Sequence, residues 1–248
     1  MPSAPWTPRH TAAALAGGHL LIAGAPGTGK SRLLNGTLLP ALVRAGDPLL
    51  VIQDPATGHG PTLGLRAATF GREAAVGDLL ARPTLVTFTG THPEREAQAE
   101  RLFADLPAAL AAAPVPAGTR RFLVIDVAPL TPGLRSFAPL LRQARSLGCT
   151  LIVTCQSPSS LEPGLPALFT SHVAFYHFYK RCLRVMAENV LAATGAEETN
   201  PSGKPTPINR FGQPLATPAS RMVGKLGDLK VGECFLVTPG APYEPLRT

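Results

Sequence analysis

Gly24-Ala-Pro-Gly-Thr-Gly29-Lys30-Ser31 decides the fold. The stretch fits G-x-x-x-x-G-K-[ST], a phosphate-binding loop (P-loop) set between a strand and a helix. Its surroundings agree: the apolar run His19-Leu-Leu-Ile-Ala23 reads as a strand, and 31–44 reads as a helix. The glycines let the backbone fold tightly, so that successive N–H groups face one phosphate-sized hole. The helix N-terminus adds its partial positive charge. The candidate phosphate-contacting residues are therefore Gly24, Ala25, Pro26, Gly27, Thr28, Gly29, Lys30, Ser31 and Arg32. In such a loop the lysine ammonium, here Lys30, reaches the β/γ-phosphates, and the hydroxyl of Ser31 serves as a ligand for Mg²⁺. ATP and Mg²⁺ are the expected cofactors.

The chain of 248 residues is long enough for one large α/β domain, and 45% hydrophobic content suits a globular core. No apolar run approaches the roughly 18 residues needed to span a bilayer. The N-terminus lacks a basic segment followed by an apolar one, so no signal peptide is expected. Cys149, Cys155, Cys182 and Cys234 form no C-x-x-C pair and read as small buried residues in a reducing compartment. His172 and His177 lie on a predicted strand with an odd spacing, which puts them on opposite faces. The net charge of +7 and pI near 9.7 are consistent with a polyanionic partner. The excess is mostly arginine, in a chain also rich in alanine and proline, and a GC-rich genome would produce that mixture without selection for binding.

Apolar strands alternate with helical patterns. Segments 49–54, 84–89, 121–126, 150–156, 171–178 and 233–238 join the P-loop strand to make about seven strands, with helices at 31–44, 93–112, 134–147 and 179–193. The alternation predicts an α/β fold: a mostly parallel sheet with helices on both faces. The whole chain, 1–248, reads as one domain, with its core in about 18–180 and a closing strand in 226–238. Residues 194–220, rich in Gly, Pro, Thr and Asn, read as a long irregular loop. A second loop, 55–65, lies at the sheet's carboxyl edge, where ligands of open α/β sheets bind.

A P-loop needs a carboxylate for the Mg²⁺ shell. Arg121-Phe-Leu-Val-Ile-Asp126 offers four apolar residues and then Asp126 where the strand emerges, which resembles a Walker B strand. About 95 residues separate Ser31 from Asp126, room for two βα units, so at least one strand is expected between the two motifs in the sheet. That places the chain with RecA-like (ASCE) NTPases and not with small nucleotide kinases.

Three further segments carry a family resemblance. Arg142-Gln-Ala-Arg-Ser-Leu-Gly-Cys-Thr-Leu-Ile-Val-Thr-Cys-Gln-Ser-Pro158 resembles the region after Walker B in the FtsK–HerA superfamily of DNA-pumping ATPases. Leu50-Val-Ile-Gln-Asp-Pro55 and Val231-Gly-Glu-Cys-Phe-Leu-Val237 are similar to two of its other strands. The resemblance implies a Mg²⁺-ATP-dependent motor that moves double-stranded DNA as a homo-hexameric ring. Within that superfamily it resembles the stand-alone genome-packaging ATPases of membrane-containing tailless viruses. Capsid or membrane-vertex proteins would then be partners, and the location cytoplasmic or virion-associated. Two alternatives stay open: a conjugation, secretion or Zot-type phage-assembly ATPase, and a nucleotide-dependent assembly module with weak hydrolysis.

The resemblance also assigns roles. Gln156 would face the γ-phosphate, where a carboxamide both donates to phosphate oxygen and accepts from water; a turn-capping glutamine is the plain alternative. Arg145 would reach a neighbouring subunit's nucleotide, although Arg142 and Arg145 at i, i+3 also suit a solvated helix face. The family's glutamate after the Walker B aspartate is replaced by Val127. Glu94, Glu96 or Asp54 would have to supply a base, but Thr91-His-Pro-Glu94 also reads as a capping box that accounts for Glu94 without chemistry. Lys180, Arg181 and Arg184 share one helix face and are the candidate DNA contacts, with Lys225 and Lys230 behind them.

Overall fold

The alternating pattern folds as one sheet between two helical layers. A computed structural model describes residues 3–53, 64–70, 76–113, 115, 119–126, 135–177, 180–194, 218–238 and 245–248. The strands are β1 (Ala4–Pro5), β2 (Leu20–Ala23), β3 (Leu49–Gln53), β4 (Arg66–Phe70), β5 (Thr84–Phe88), β6 (Arg121–Asp126), β7 (Cys149–Cys155), β8 (Ser171–Phe175), β9 (Glu233–Val237) and β10 (Pro245–Arg247). Their order across the sheet is β1-β10-β9-β8-β2-β7-β6-β3-β5-β4. Only the pairs that β9 makes with β8 and β10 are antiparallel. β7 lies between the P-loop strand β2 and the Asp126 strand β6, so a strand does separate the motifs in the sheet; it comes from chain that follows Asp126, whereas β3, β4 and β5, from the chain between the motifs, lie on the far side of β6.

The helices are α1 (Pro8–Ala16), α2 (Lys30–Leu33), α3 (Leu39–Ala45), α4 (Val76–Leu80), α5 (His92–Ala112), α6 (Phe137–Ala144), α7 (Lys180–Thr194) and α8 (Pro218–Gly227). A π-helical segment, Leu34–Leu38, joins α2 to α3. Side chains alternate across the sheet and feed two cores. Leu21 and Ala23 of β2 join the cluster that holds Leu102 and Phe103 of α5, Leu141 of α6, Met186 of α7 and Leu226 of α8. Leu20 and Ile22 join the opposite cluster, with Ala14 of α1, Leu33 of α2 and Leu42 of α3. The central strands are buried on both faces, which is why they read as continuous apolar runs.

Ten strands replace the expected seven or so. The additions β1 and β4 are the two edge strands, and β10 lies next to the edge between β1 and β9: β1 and β10 contain proline, and β4 (Arg-Ala-Ala-Thr-Phe) has one β-branched residue. β8 ends at Phe175, so His177 lies beyond the strand, and both His172 and His177 are buried. Within the expected 194–220 loop, 195–217 falls outside the described residues, while Pro218 already starts α8. The expected helix at 134–147 is shorter, Phe137–Ala144.

Burial lowers the pKa of His172 to about 4, and burial with the nearby Arg145 charge lowers that of His19 to about 4. The folded state therefore takes up these protons less readily than the unfolded chain, whose histidines titrate near 6.5. Stability is expected to be full above pH 6.5 and to fall as pH drops toward 4. Urea unfolding at pH 7 and pH 4.5 checks this: His172→Gln should narrow the difference between the two midpoints.

Candidate functional site

β2 delivers the chain to the carboxyl edge of the sheet, and its two neighbours hold the first turn of the loop. Gly24 N–H donates to the Cys155 carbonyl at 3.3 Å, at the end of β7, and Ala25 N–H donates to the Tyr176 carbonyl at 3.0 Å, just beyond β8. A Cβ on Gly24 would lie 2.5 Å from the Cβ of Phe175, so only glycine fits between these strands. Gly27 and Gly29 take positive φ, 75° and 116°, which turns the chain into α2. Thr28 closes the loop from within, its hydroxyl donating to the Ala25 carbonyl at 2.8 Å.

A second brace comes from the far end of the chain. Gly232 N–H donates to the Thr28 carbonyl at 2.9 Å, and Thr248 N–H donates to the Gly232 carbonyl at 2.8 Å. Leu33 N–H is the first helical donor to find a backbone acceptor, Gly29 at 2.9 Å. The amides of Lys30, Ser31 and Arg32 precede it and are left for an anion.

The Lys30 ammonium donates to the carbonyls of Gly24 at 2.7 Å and Ala25 at 2.8 Å, which suspends it over the loop. Burial pushes its pKa down, while neighbouring Cys155 and Asp126 act in the opposite direction. Asp126 is thus within electrostatic range of Lys30. It is 5% exposed and ends β6. One carboxylate oxygen accepts from the Thr154 hydroxyl of β7, and the other from the Gln53 amide of β3 at 3.3 Å. Gln53 stands opposite Asp126 in the sheet. Neither Gln53 nor Thr154 was expected from the motifs; their signal is a polar residue inside an otherwise apolar strand.

Gln156 follows β7 directly and is exposed beside the start of the P-loop. The adjacent turn is capped by Ser157, whose hydroxyl accepts from Ser159 N–H, so Gln156 is not its cap. The sequence-predicted residues Lys30, Ser31, Asp126 and Gln156 therefore share the carboxyl edge, at the ends of β2, β6 and β7.

Two candidates do not join them. Glu94 closes a capping box at the start of α5: its carboxylate accepts from Thr91 N–H at 2.6 Å and from the Thr91 hydroxyl at 2.9 Å. Those bonds lower its pKa. α5 follows β5, four strand positions from β2, or about 19 Å away. Arg145 caps α6 at the opposite, amino edge, just before β7 begins, and the length of β2, about 13 Å, separates that edge from the P-loop. Arg142 pairs instead with Glu162 at 3.6 Å. Asp54 and Val127 lie outside the described residues.

α7 begins just past β8, so its first turn stands at the same edge as the P-loop. Arg181 is exposed, and Arg184 is exposed but pairs with Glu188 at 3.0 Å. Lys180 is the first residue of α7. Lys225 and Lys230 are also exposed. Cys149, Cys155 and Cys234 are buried, and Cys182 is half-buried. Among the described residues, no helix is long and apolar enough to cross a membrane.

The fold is shared with a solved genome packaging NTPase and a plasmid coupling protein. The genome packaging NTPase B204 from Sulfolobus turreted icosahedral virus 2, in complex with ATP-gammaS, superposes with a TM-score of 0.61 at 13% identity, over 93% of this chain and 97% of that one. The plasmid coupling protein TrwB, in complex with a GTP analogue, gives 0.60 at 13% identity, over 100% and 89%. B204 in complex with AMPPCP gives 0.60 at 14%. No protein-family model matches the chain, and no curated protein matches it in sequence. At these identities the likeness is one of fold.

The two glycine requirements differ in kind. Gly24→Ala drives a methyl into the Phe175 Cβ and is expected to cost about 3 kcal/mol. Gly27→Ala meets open space and is opposed only by its positive φ, about 1 kcal/mol. Urea denaturation of both variants should rank them in that order.

Proposed function

We propose that this chain is a Mg²⁺-ATP-dependent motor that moves double-stranded DNA as a homo-oligomeric ring, in a viral genome-packaging role. The observation that carries the reading is the convergence of Lys30, the α2 amides and Asp126 at one sheet edge in the fold that B204 and TrwB share. The packaging role rests on the sequence resemblance and the likeness to B204. Conjugative DNA transfer is the alternative that the likeness to TrwB supports.

The residues fit the cofactors. Mg²⁺-ATP supplies the phosphoryl group and a cation that offsets its charge. The α2 amides and the Lys30 ammonium would bind the phosphates, and Ser31 and Asp126 would hold the metal. Thr154 and Gln53 donate to both Asp126 oxygens, which orients a carboxylate that burial would otherwise penalise. Gln156, exposed beside the loop, would position water. Arg145 lies at the other edge and could meet a nucleotide only across a subunit boundary. Asp126 and Gln156 lie on one side of β2. The opposite side, at the turn before β9, is left for the nucleoside, and Val231, 76% exposed, stands there. The exposed basic face opening α7 would grip the phosphate backbone without reading sequence.

Lys30→Ala and Asp126→Asn are each expected to abolish ATP turnover with the circular dichroism spectrum unchanged. Steady-state ATPase rates with and without duplex DNA test the motor: stimulation by DNA supports it, and turnover indifferent to DNA favours the assembly module. Removing the charges at Arg181 and Arg184 should flatten the salt dependence of DNA binding by about one unit for each phosphate no longer neutralised.

The base subsite has its own test. Val231→Ser, which removes apolar surface without adding charge, should weaken ATP binding about tenfold and leave inorganic tripolyphosphate binding unchanged, because only ATP carries an apolar base to that side. Equal losses for both ligands would place Val231 in the phosphate site instead.

A further inference from the structure

A second polar cavity, of about 300 Å³, opens at the amino edge of the sheet, at the other end of β2 from Lys30. Gly17, Gly18, His19, Arg120, Arg145 and Thr150 are among the residues that line it, and none of the lining residues is a carboxylate. Two guanidiniums thus share one concavity; Asp47, outside the lining, is within electrostatic range of Arg120 and offsets part of its charge, and an anion between the two guanidiniums would offset the rest. Both are positioned by the fold. Arg120 donates from one amine to the carbonyls of Leu15 at 3.0 Å and Ala16 at 3.2 Å, at the end of α1. Arg145 lies against Gly18: a Cβ there would be 3.0 Å from its guanidinium nitrogen, and Gly18 has φ 117°. His19 is 3% exposed, and its Nδ1 accepts from Leu151 N–H at 3.1 Å. The neutral ring therefore carries its proton on Nε2 and adds a donor, not an acceptor. Its low pKa follows from burial and the same Arg145 charge.

We propose that this cavity is a binding site for a phosphate-type oxyanion, held between the guanidiniums of Arg120 and Arg145 and independent of the P-loop. Two planar forks converging from different elements suit a tetrahedral dianion, which offers acceptors on several sides, better than a planar carboxylate. The same chemistry would serve a backbone phosphate of nucleic acid or a free phosphoryl compound. The site does not rest on the motor reading, because it uses neither Lys30 nor Asp126.

Calorimetric titration of inorganic pyrophosphate into the full chain carrying Lys30→Ala tests it, since that variant weakens the P-loop's own hold on phosphate. Binding should persist, and adding Arg145→Gln should weaken it about tenfold, the effect of removing one charge-assisted hydrogen bond. Arg145→Lys, which keeps the charge and removes the fork, should fall between them. Arg145 is exposed, so these variants should fold, and an unchanged thermal midpoint verifies that; Arg120→Gln gives the second measurement. A short DNA duplex that displaces the pyrophosphate assigns the site to nucleic acid, and pyrophosphate binding without displacement assigns it to a free phosphoryl compound. Absence of binding in Lys30→Ala, or binding that Arg145→Gln and Arg120→Gln leave unchanged, overturns the site. A wild-type chain that does not turn over ATP, with pyrophosphate binding to Lys30→Ala intact, would count against the motor reading alone.

Discussion

The P-loop keeps its shape because strands on both sides of β2 seize its first two peptide groups. Cys155 of β7 takes the Gly24 amide, and Tyr176 beyond β8 takes that of Ala25. Phe175 then packs so closely that position 24 has no room for a side chain. The loop's amides are fixed before any ligand arrives, so ligand binding pays little of the ordering cost a free loop would carry. Gly232 and Thr248 extend that rigidity from the antiparallel side of the sheet, through the Thr28 carbonyl. A change in β7, β8 or the turn before β9 would therefore reach the phosphate site without touching a phosphate-contacting residue.

Asp126 shows how a buried carboxylate is made tolerable. At 5% exposure, its oxygens would be costly to bury without partners. Thr154 and Gln53, each from a strand beside β6, donate one bond to each oxygen. The same two bonds fix the direction of the remaining lone pairs. Sheet register is what brings the three together, since Gln53 pairs directly with Asp126 and Ile125 with Val153, the residue before Thr154.

The two edges of the sheet have different chemistry for a topological reason. Parallel strands point their carboxyl ends the same way, so the loops that follow β2, β6, β7 and β8 gather at one edge. The residues that precede the strands, His19, Arg120 and Gly148, gather at the other. Arg145 belongs to the second group because α6 runs back from the carboxyl edge before β7 begins. Its separation from Lys30 is a consequence of strand direction.

Much of this was legible in the chain itself. The glycines, Lys30 and Ser31 identify the P-loop because phosphate geometry demands those residues at that spacing, and the apolar strands were readable because both faces of the sheet are covered. A strand between the motifs was expected from the spacing of Ser31 and Asp126, but the strand that stands there, β7, comes from chain after Asp126, which the spacing could not show. Local pattern could not place strands as short and proline-bearing as β1 and β10, nor the start of α8, because these depend on a partner already in place. Nor could it separate the two uses of Glu94, since a capping box and a catalytic base look alike until strand order sets the distance to β2. Gln53, Thr154, Gly232 and Thr248 acquire their roles only through contacts between residues far apart in sequence. The sequence by itself determined the phosphate loop and the sheet that carries it, because those constraints are local. Tertiary structure alone decided which carboxylate, amide and guanidinium lie at which edge, because strand order and direction are properties of the assembled sheet.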